Sequence, residues 1–156
     1  MIRRAEKKDM ERLDALLFQV QALHAEGRPD IFKTGAKKYT DRELLAIIND
    51  DTTPIFLWEE DGVIAGYAFC IYQETIENGQ LHYRKVLYID DLCVDAEFRR
   101  RGIGAKLYRY VLDVAKENGC DSVTLNVWSL NDSALGFYRS MGMEPLKTIM
   151  EAKLNG

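Results

Sequence analysis

The strongest chemical signal in the chain is a run of seven residues, Arg99-Arg100-Arg101-Gly102-Ile103-Gly104-Ala105, inside VDAEFRRRGIGAKLYRYV. The apolar spacing of Ile103, Leu107, Val111 and Val114 predicts a helix over Gly102–Asn118, with Gly119 as its C-terminal stop. The turn thus lies where the first backbone N–H groups of a helix lack intrahelical acceptors and carry partial positive charge, which makes an anion site. Gly102 and Gly104 lack the Cβ atoms that would hold a phosphate away from the backbone. Arg99, Arg100 and Arg101 add charge suited to a diphosphate or a 3′-phosphate. Taken alone, the glycine pair reads equally well as a plain turn beside solvated arginines. Two commoner phosphate motifs fail. A Walker A loop requires G-x-x-x-x-G-K-[ST], whereas Lys106 follows Gly-Ala and precedes Leu107. A dinucleotide fingerprint requires a third glycine where Leu107 stands.

Asp90 and Asp91 are the second signal, because carboxylates are depleted in strands and VLYIDDLCV is otherwise apolar. Alternation points them to opposite faces unless a bulge intervenes. The strand pattern alone leaves a structural ion pair and a functional carboxylate equally open for this pair. Cys93 reads as a small core residue rather than a nucleophile, since no histidine lies near it in sequence. His24 reads as a surface histidine at a helix end, and Lys37, Lys38 and Lys116 as solvated surface. Spacing does not single out Tyr39, Tyr72, His82 or Tyr83 as pocket residues. The histidines are two and the cysteines three, with no C-x-x-C pair, so no metal site and no disulfide framework is expected.

These groups need elements to position them. Ile2–Ala5 predicts a short strand, and Met10, Leu13, Leu17 and Val20 give the stripe of a helix that ends near Gly27, before Pro29. GRPDIFKTGAKKY has no period and reads as a loop. Thr40 with Glu43 is a capping-box signature for a second helix through Ile48. Pro54–Glu60 and Val63–Gln73 predict a hairpin about Asp61-Gly62, Val86–Val94 a third long strand, and Val123–Trp128 another. Asn131 or Ser133 caps a short helix ending at Gly142, and Glu144–Lys153 is expected as the last strand. The crossover from Val86 to Trp128 makes those two strands parallel. The order gives a mixed α/β domain, 1–156, in one piece.

At 156 residues the chain has the size of one domain with a continuous core, and 47% apolar with 29% charged residues is a globular balance. No run approaches membrane length and the N-terminus is too polar for a secretory leader, so a cytoplasmic location is the default expectation. A net charge of −4 argues against nucleic acid as the main partner and fits a cationic substrate.

RRRGIGA resembles the [RQ]-x-x-G-x-[GA] pyrophosphate loop of the GNAT acetyltransferase superfamily. Leu92-Cys93-Val94-Asp95 is similar to that family's L-x-V segment, and Asn131 through Met143 to its N-x-x-A-x-x-[FL]-Y-x-x-x-G-[FM] segment. Ala96-Glu97 stand where a proline often appears. The resemblance implies a GNAT fold: a mixed central sheet of about six to seven strands with four helices packed on both faces. It implies acetyl-CoA as co-substrate and no metal. The amides of Arg101–Ala105 would hold the pyrophosphate, with Arg99 and Arg100 beside it. The strand backbone at Leu92, Cys93 and Val94 would pair with the pantetheine arm in a slot where the fourth and fifth strands splay, and the Leu92 amide would lie near the thioester carbonyl. Asn131, Ala134, Phe137 and Tyr138 would line the arm, with Tyr138 as general acid. Spermidine-acetylating members carry a similar acidic pair at Asp90-Asp91, and that resemblance makes Asp90 the candidate for binding or deprotonating the amine. The implied activity is acetyl transfer to a primary amine by direct attack in a ternary complex. The acceptor, a small molecule or peptide, stays open among polyamine, aminoglycoside, amino acid and protein N-terminus, and a homodimer stays open too. The rival readings are a non-catalytic acyl-CoA sensor on the same fold and a module whose arginine turn binds RNA or a phosphopeptide.

Overall fold

The computed structural model describes residues 1–155. Five strands form one sheet in sequence order: β1 (Ile2–Arg4), β2 (Ile55–Glu60), β3 (Val63–Thr75), β4 (Arg84–Val94) and β5 (Ser122–Leu125). The first four are antiparallel neighbours, and β5 joins β4 in parallel, as the crossover requires. Four helices accompany them: α1 (Met10–Gly27), α2 (Asp41–Ile48), α3 (Ile103–Glu117) and α4 (Asp132–Ser140). The chain folds as two compact units, residues 1–126 and residues 127 onward.

In the first unit, β3 is buried without interruption from Ile64 to Cys70, because helices cover both faces of the sheet. On one face, Leu13, Leu16 and Leu17 of α1 and Leu44 and Ile48 of α2 pack on Ile55, Leu57, Tyr67 and Phe69. On the other, Ile103 and Leu107 of α3 pack with Ala65 against Trp58, Leu92 and Val94. The Thr40–Glu43 capping box forms as read, Thr40 Oγ1 accepting from the Glu43 amide and Glu43 accepting from the Thr40 amide.

The second unit carries α4, whose N-cap is Asn131, its side chain accepting from the Ala134 amide at 3.1 Å. The strand expected over Glu144–Lys153 is not formed, so the described sheet has five strands rather than six to seven. Pro145 has no N–H to donate, and residues 127–155 contain no second strand to accept a ladder. Its apolar side chains stay in solvent, Ile149 at 87% and Leu154 at 93% exposure.

Candidate active site

The site grows from two irregularities in β4. The first is a bulge. Phe69 of β3 pairs with Asp91 and Cys70 pairs with Ile89, so Asp90 is the extra residue with no partner across the ladder. The inserted residue breaks the alternation that would have sent Asp90 and Asp91 to opposite faces. Both carboxylates are taken up on the side covered by α1 and α2. The Tyr67 hydroxyl donates to Asp91 Oδ2 at 2.7 Å, and Tyr39 donates to Asp90 Oδ2 at 3.3 Å. Lys38 Nζ also reaches Asp90 Oδ2 at 3.3 Å. Burial pushes the Asp91 carboxyl above its ordinary value, against the opposing pull of the Tyr67 hydrogen bond and the Lys38 charge. Burial likewise drives the Tyr67 hydroxyl upward, so it stays a donor.

The second irregularity is an open edge. The parallel register between β4 and β5 ends at Ile89↔Leu125, while β4 continues to Val94 on β3. Beyond the bulge, Leu92, Cys93 and Val94 are therefore strand-paired on one side only, which is the splay that an added strand-like ligand needs. The Asn126 amide turns to the Tyr88 hydroxyl at 3.1 Å where β5 has ended, short of the Trp128 limit expected from sequence. Leu92 and Val94 pack toward α3, and Cys93 toward the α1/α2 side. Burial pushes the Cys93 thiol up to about 12, so it is a neutral thiol at pH 7, half-buried against the edge of the core.

After Val94 the chain turns through Asp95 and a single 3-10 turn, Ala96–Phe98, into the glycine segment. Arg100 and Gly102 both have positive φ, 68° and 73°, and Gly102 is the N-cap of α3. An L side chain resists that conformation, and a glycine cap brings no side-chain acceptor to the first-turn amides. A Cβ built on Gly102 would meet nothing within 4 Å, so the backbone stands open to an approaching anion. Arg99 and Arg100 are exposed beside it; Arg101 reaches Glu60 at 3.3 Å and lies over the Phe98 ring. The residues present thus fit a pyrophosphate at the α3 N-terminus and an extended arm along Leu92–Val94.

The chain's family follows from matching it to known proteins. The model of the acetyltransferase (GNAT) family matches residues 17–143. The chain belongs to the GNAT acetyltransferase family. N-alpha-acetyltransferase 50 of Danio rerio is 30% identical over 142 residues, covering 90% of this chain and 70% of that protein. Thialysine N-epsilon-acetyltransferase of Bos taurus is 35% identical over 83 residues, 53% of this chain but only 46% of its own length. A crystal structure of a mutant BH1408 protein from Bacillus halodurans superimposes with a TM-score of 0.95 at 30% identity, over 99% of each chain.

In this GNAT chain, the cofactor-loop and strand residues read from the sequence, with Asp90, come together in the first unit. Asn131, Ala134, Phe137 and Tyr138 come together on α4 in the second, where the Phe137 and Tyr138 rings meet edge-to-face at 5.1 Å. Four partners escaped the sequence reading. Lys38 is at the surface as expected, but its ammonium is paired with Asp90. Lys37, exposed, is held by Asp14 and Asp41. Tyr67, in an apolar strand, carried a legible signal, since a buried tyrosine hydroxyl needs an acceptor. Arg12 of α1 binds the buried Asp95 carboxylate and donates to the Ile64 carbonyl, tying α1 to the end of β4. His24 is half-buried rather than at the surface, 4.8 Å from Phe32 between ring centroids, and burial lowers its pKa. Among the described residues no cluster of three or more His, Cys, Asp or Glu is placed to hold a metal ion, and no helix is long and apolar enough to cross a membrane.

Proposed function

We propose that the protein is an acetyl-CoA-dependent N-acetyltransferase that acts on a primary amine by direct attack, without an acyl-enzyme. The observation that carries this reading is the open β4 edge at Leu92–Val94, placed between the Asp90 bulge and the anion-binding start of α3. Acetyl-CoA supplies the acetyl group as an activated thioester. The amides of Arg101–Ala105, with Arg99 and Arg100, bind its pyrophosphate and 3′-phosphate. The outward-facing amides and carbonyls of Leu92 and Val94, on either side of Cys93, orient its arm as an added strand, and the Leu92 amide faces developing negative charge. The likeness of Asn131–Met143 to the family's segment assigns Asn131, Ala134 and Phe137 to acetyl-CoA binding and the Tyr138 hydroxyl to proton donation.

Amines are largely protonated at neutral pH, so the acceptor side must attract a cation and accept its proton. Asp90 does the first at its carboxylate and takes the proton directly or through water. The cysteine route is disfavoured, because the half-buried Cys93 thiol is pushed up to about 12 and stays neutral at pH 7. The bovine relative is named for the ε-amine of thialysine, which supports an amine-acceptor reading. The test is release of free CoA from acetyl-CoA with a panel of polyamine, aminoglycoside, amino-acid and peptide N-terminal acceptors. Turnover with at least one amine is expected. Tight acetyl-CoA binding with no turnover on any of them would favour the sensor reading instead.

A further inference from the structure

The carboxylate assigned above to the acceptor's ammonium is already engaged by an ammonium of the chain itself. Lys38 Nζ lies 3.3 Å from Asp90 Oδ2 and 5.3 Å from the Tyr39 ring centroid, so it holds both an anion and an aromatic face, the combination that recognises an alkylammonium. The Tyr39 hydroxyl donates to the same Asp90 oxygen, and the Tyr39 ring stacks on Phe69 of β3 at 6.0 Å, which fixes the wall while leaving the lysine stem free.

Two features make this ammonium exchangeable. Residues 29–39, which carry it, form turns and bends rather than helix or strand. Its neighbour Lys37 is clamped between Asp14 at 3.2 Å and Asp41 at 2.7 Å, whereas Lys38 holds one carboxylate oxygen at 3.3 Å. Lys38 also borders a cavity of about 360 Å³ lined by Asp14, Leu17, Phe18, Gly35 and Lys37, into which a four-carbon stem can withdraw from Asp90.

We propose that Lys38 occupies the acceptor's cation position at Asp90 and is exchanged for the acceptor's ammonium, which makes Lys38 a specificity-determining residue. The inference rests on the reading of Asp90 given above. An incoming ammonium replaces Lys38 charge for charge, so the Asp90 carboxylate is never left bare. A neutral acceptor has nothing to offer in exchange, and an acidic one meets Asp90 and Asp91. Loss of the Lys38 charge leaves two neighbouring carboxylates without their lysine, and a dication then gains most.

The experiment is calorimetric titration of 1,4-diaminobutane and butylamine into the CoA-saturated protein, in wild type, Lys38→Met, Lys38→Arg, Asp90→Asn and the Lys38→Met/Asp90→Asn double variant. Lys38→Met should tighten 1,4-diaminobutane by about fivefold and butylamine by less, the competition a part-exposed ion pair offers. Lys38→Arg, which keeps the charge, should stay near wild type, and the gain should vanish in the double variant. Equal or weaker diamine binding in Lys38→Met overturns the proposal, as does an undiminished gain in the double variant. Absence of amine binding in wild type and Lys38→Met alike overturns it too. If Asp90→Asn alone binds the diamine as wild type does, the reading of Asp90 itself falls.

Discussion

Asp90 stands opposite no residue of β3, and that one inserted residue places two carboxylates on the same side of the sheet. Their surroundings then separate them. Asp91 is bound by the buried Tyr67 hydroxyl, while Asp90 faces Lys38 and Tyr39 with 29% of its side chain in solvent. Asp90 is therefore the more accessible of the two, and the one proposed to meet an acceptor. Asp90→Asn should raise the acceptor KM and depress turnover below the amine's own pKa, with partial rescue at higher pH, where more free amine exists; a pH series of kcat/KM checks this. An unchanged pH profile would make Asp90 structural. Tyr138→Phe should lower kcat by about ten- to a thousand-fold with acetyl-CoA affinity nearly kept, whereas Cys93→Ala should retain most activity. Steady-state kinetics of the two variants separates a proton donor from a packing tyrosine.

At the scale of elements, Arg12 and Asp95 tie α1 to the end of β4. Desolvation pushes the Asp95 carboxyl up more than any other single influence, but the hydrogen bonds from Arg12 and the Glu97 amide, with the Arg12 charge, together outweigh it and hold the group below its ordinary 3.8. Its stabilisation is thus fully present above that value and is lost as pH falls through the lower folded value. Arg12→Met should cost about 2 kcal/mol by denaturant titration, and Asp95→Asn should flatten the acid limb of the stability profile. Gly66 marks a second constraint, since a Cβ there would lie 2.8 Å from the Cys93 carbonyl oxygen and 3.2 Å from Leu107 Cδ1. Gly66→Ala should lower the melting temperature and weaken acetyl-CoA binding together, by shifting the β4 edge. At this scale much was legible. The capping box at Thr40–Glu43, the α3 stripe and the Asp61-Gly62 hairpin are local patterns, and local physics decides them. The bulge at Asp90 and the Lys38 and Arg12 pairings bring residues 52 and 83 positions apart together, and no periodicity encodes such distances. The expected last strand failed for the complementary reason, because an alternating segment becomes a strand only where a partner accepts its ladder.

For the whole molecule, the chain's membership of the GNAT acetyltransferase family supports the proposal that acetyl-CoA binds at the open β4 edge beside the glycine-capped helix start. A ligand that binds only the folded state raises stability by about 2.7 kcal/mol at a hundredfold excess over Kd, which melts out as a shift of several degrees. The most direct measurement is therefore the melting temperature against acetyl-CoA concentration, in wild type and in Gly104→Leu, whose side chain would block backbone approach at the turn. A rise with acetyl-CoA in wild type that is absent in Gly104→Leu is the predicted result. A melting temperature that stays constant in wild type at saturating acetyl-CoA would contradict the account.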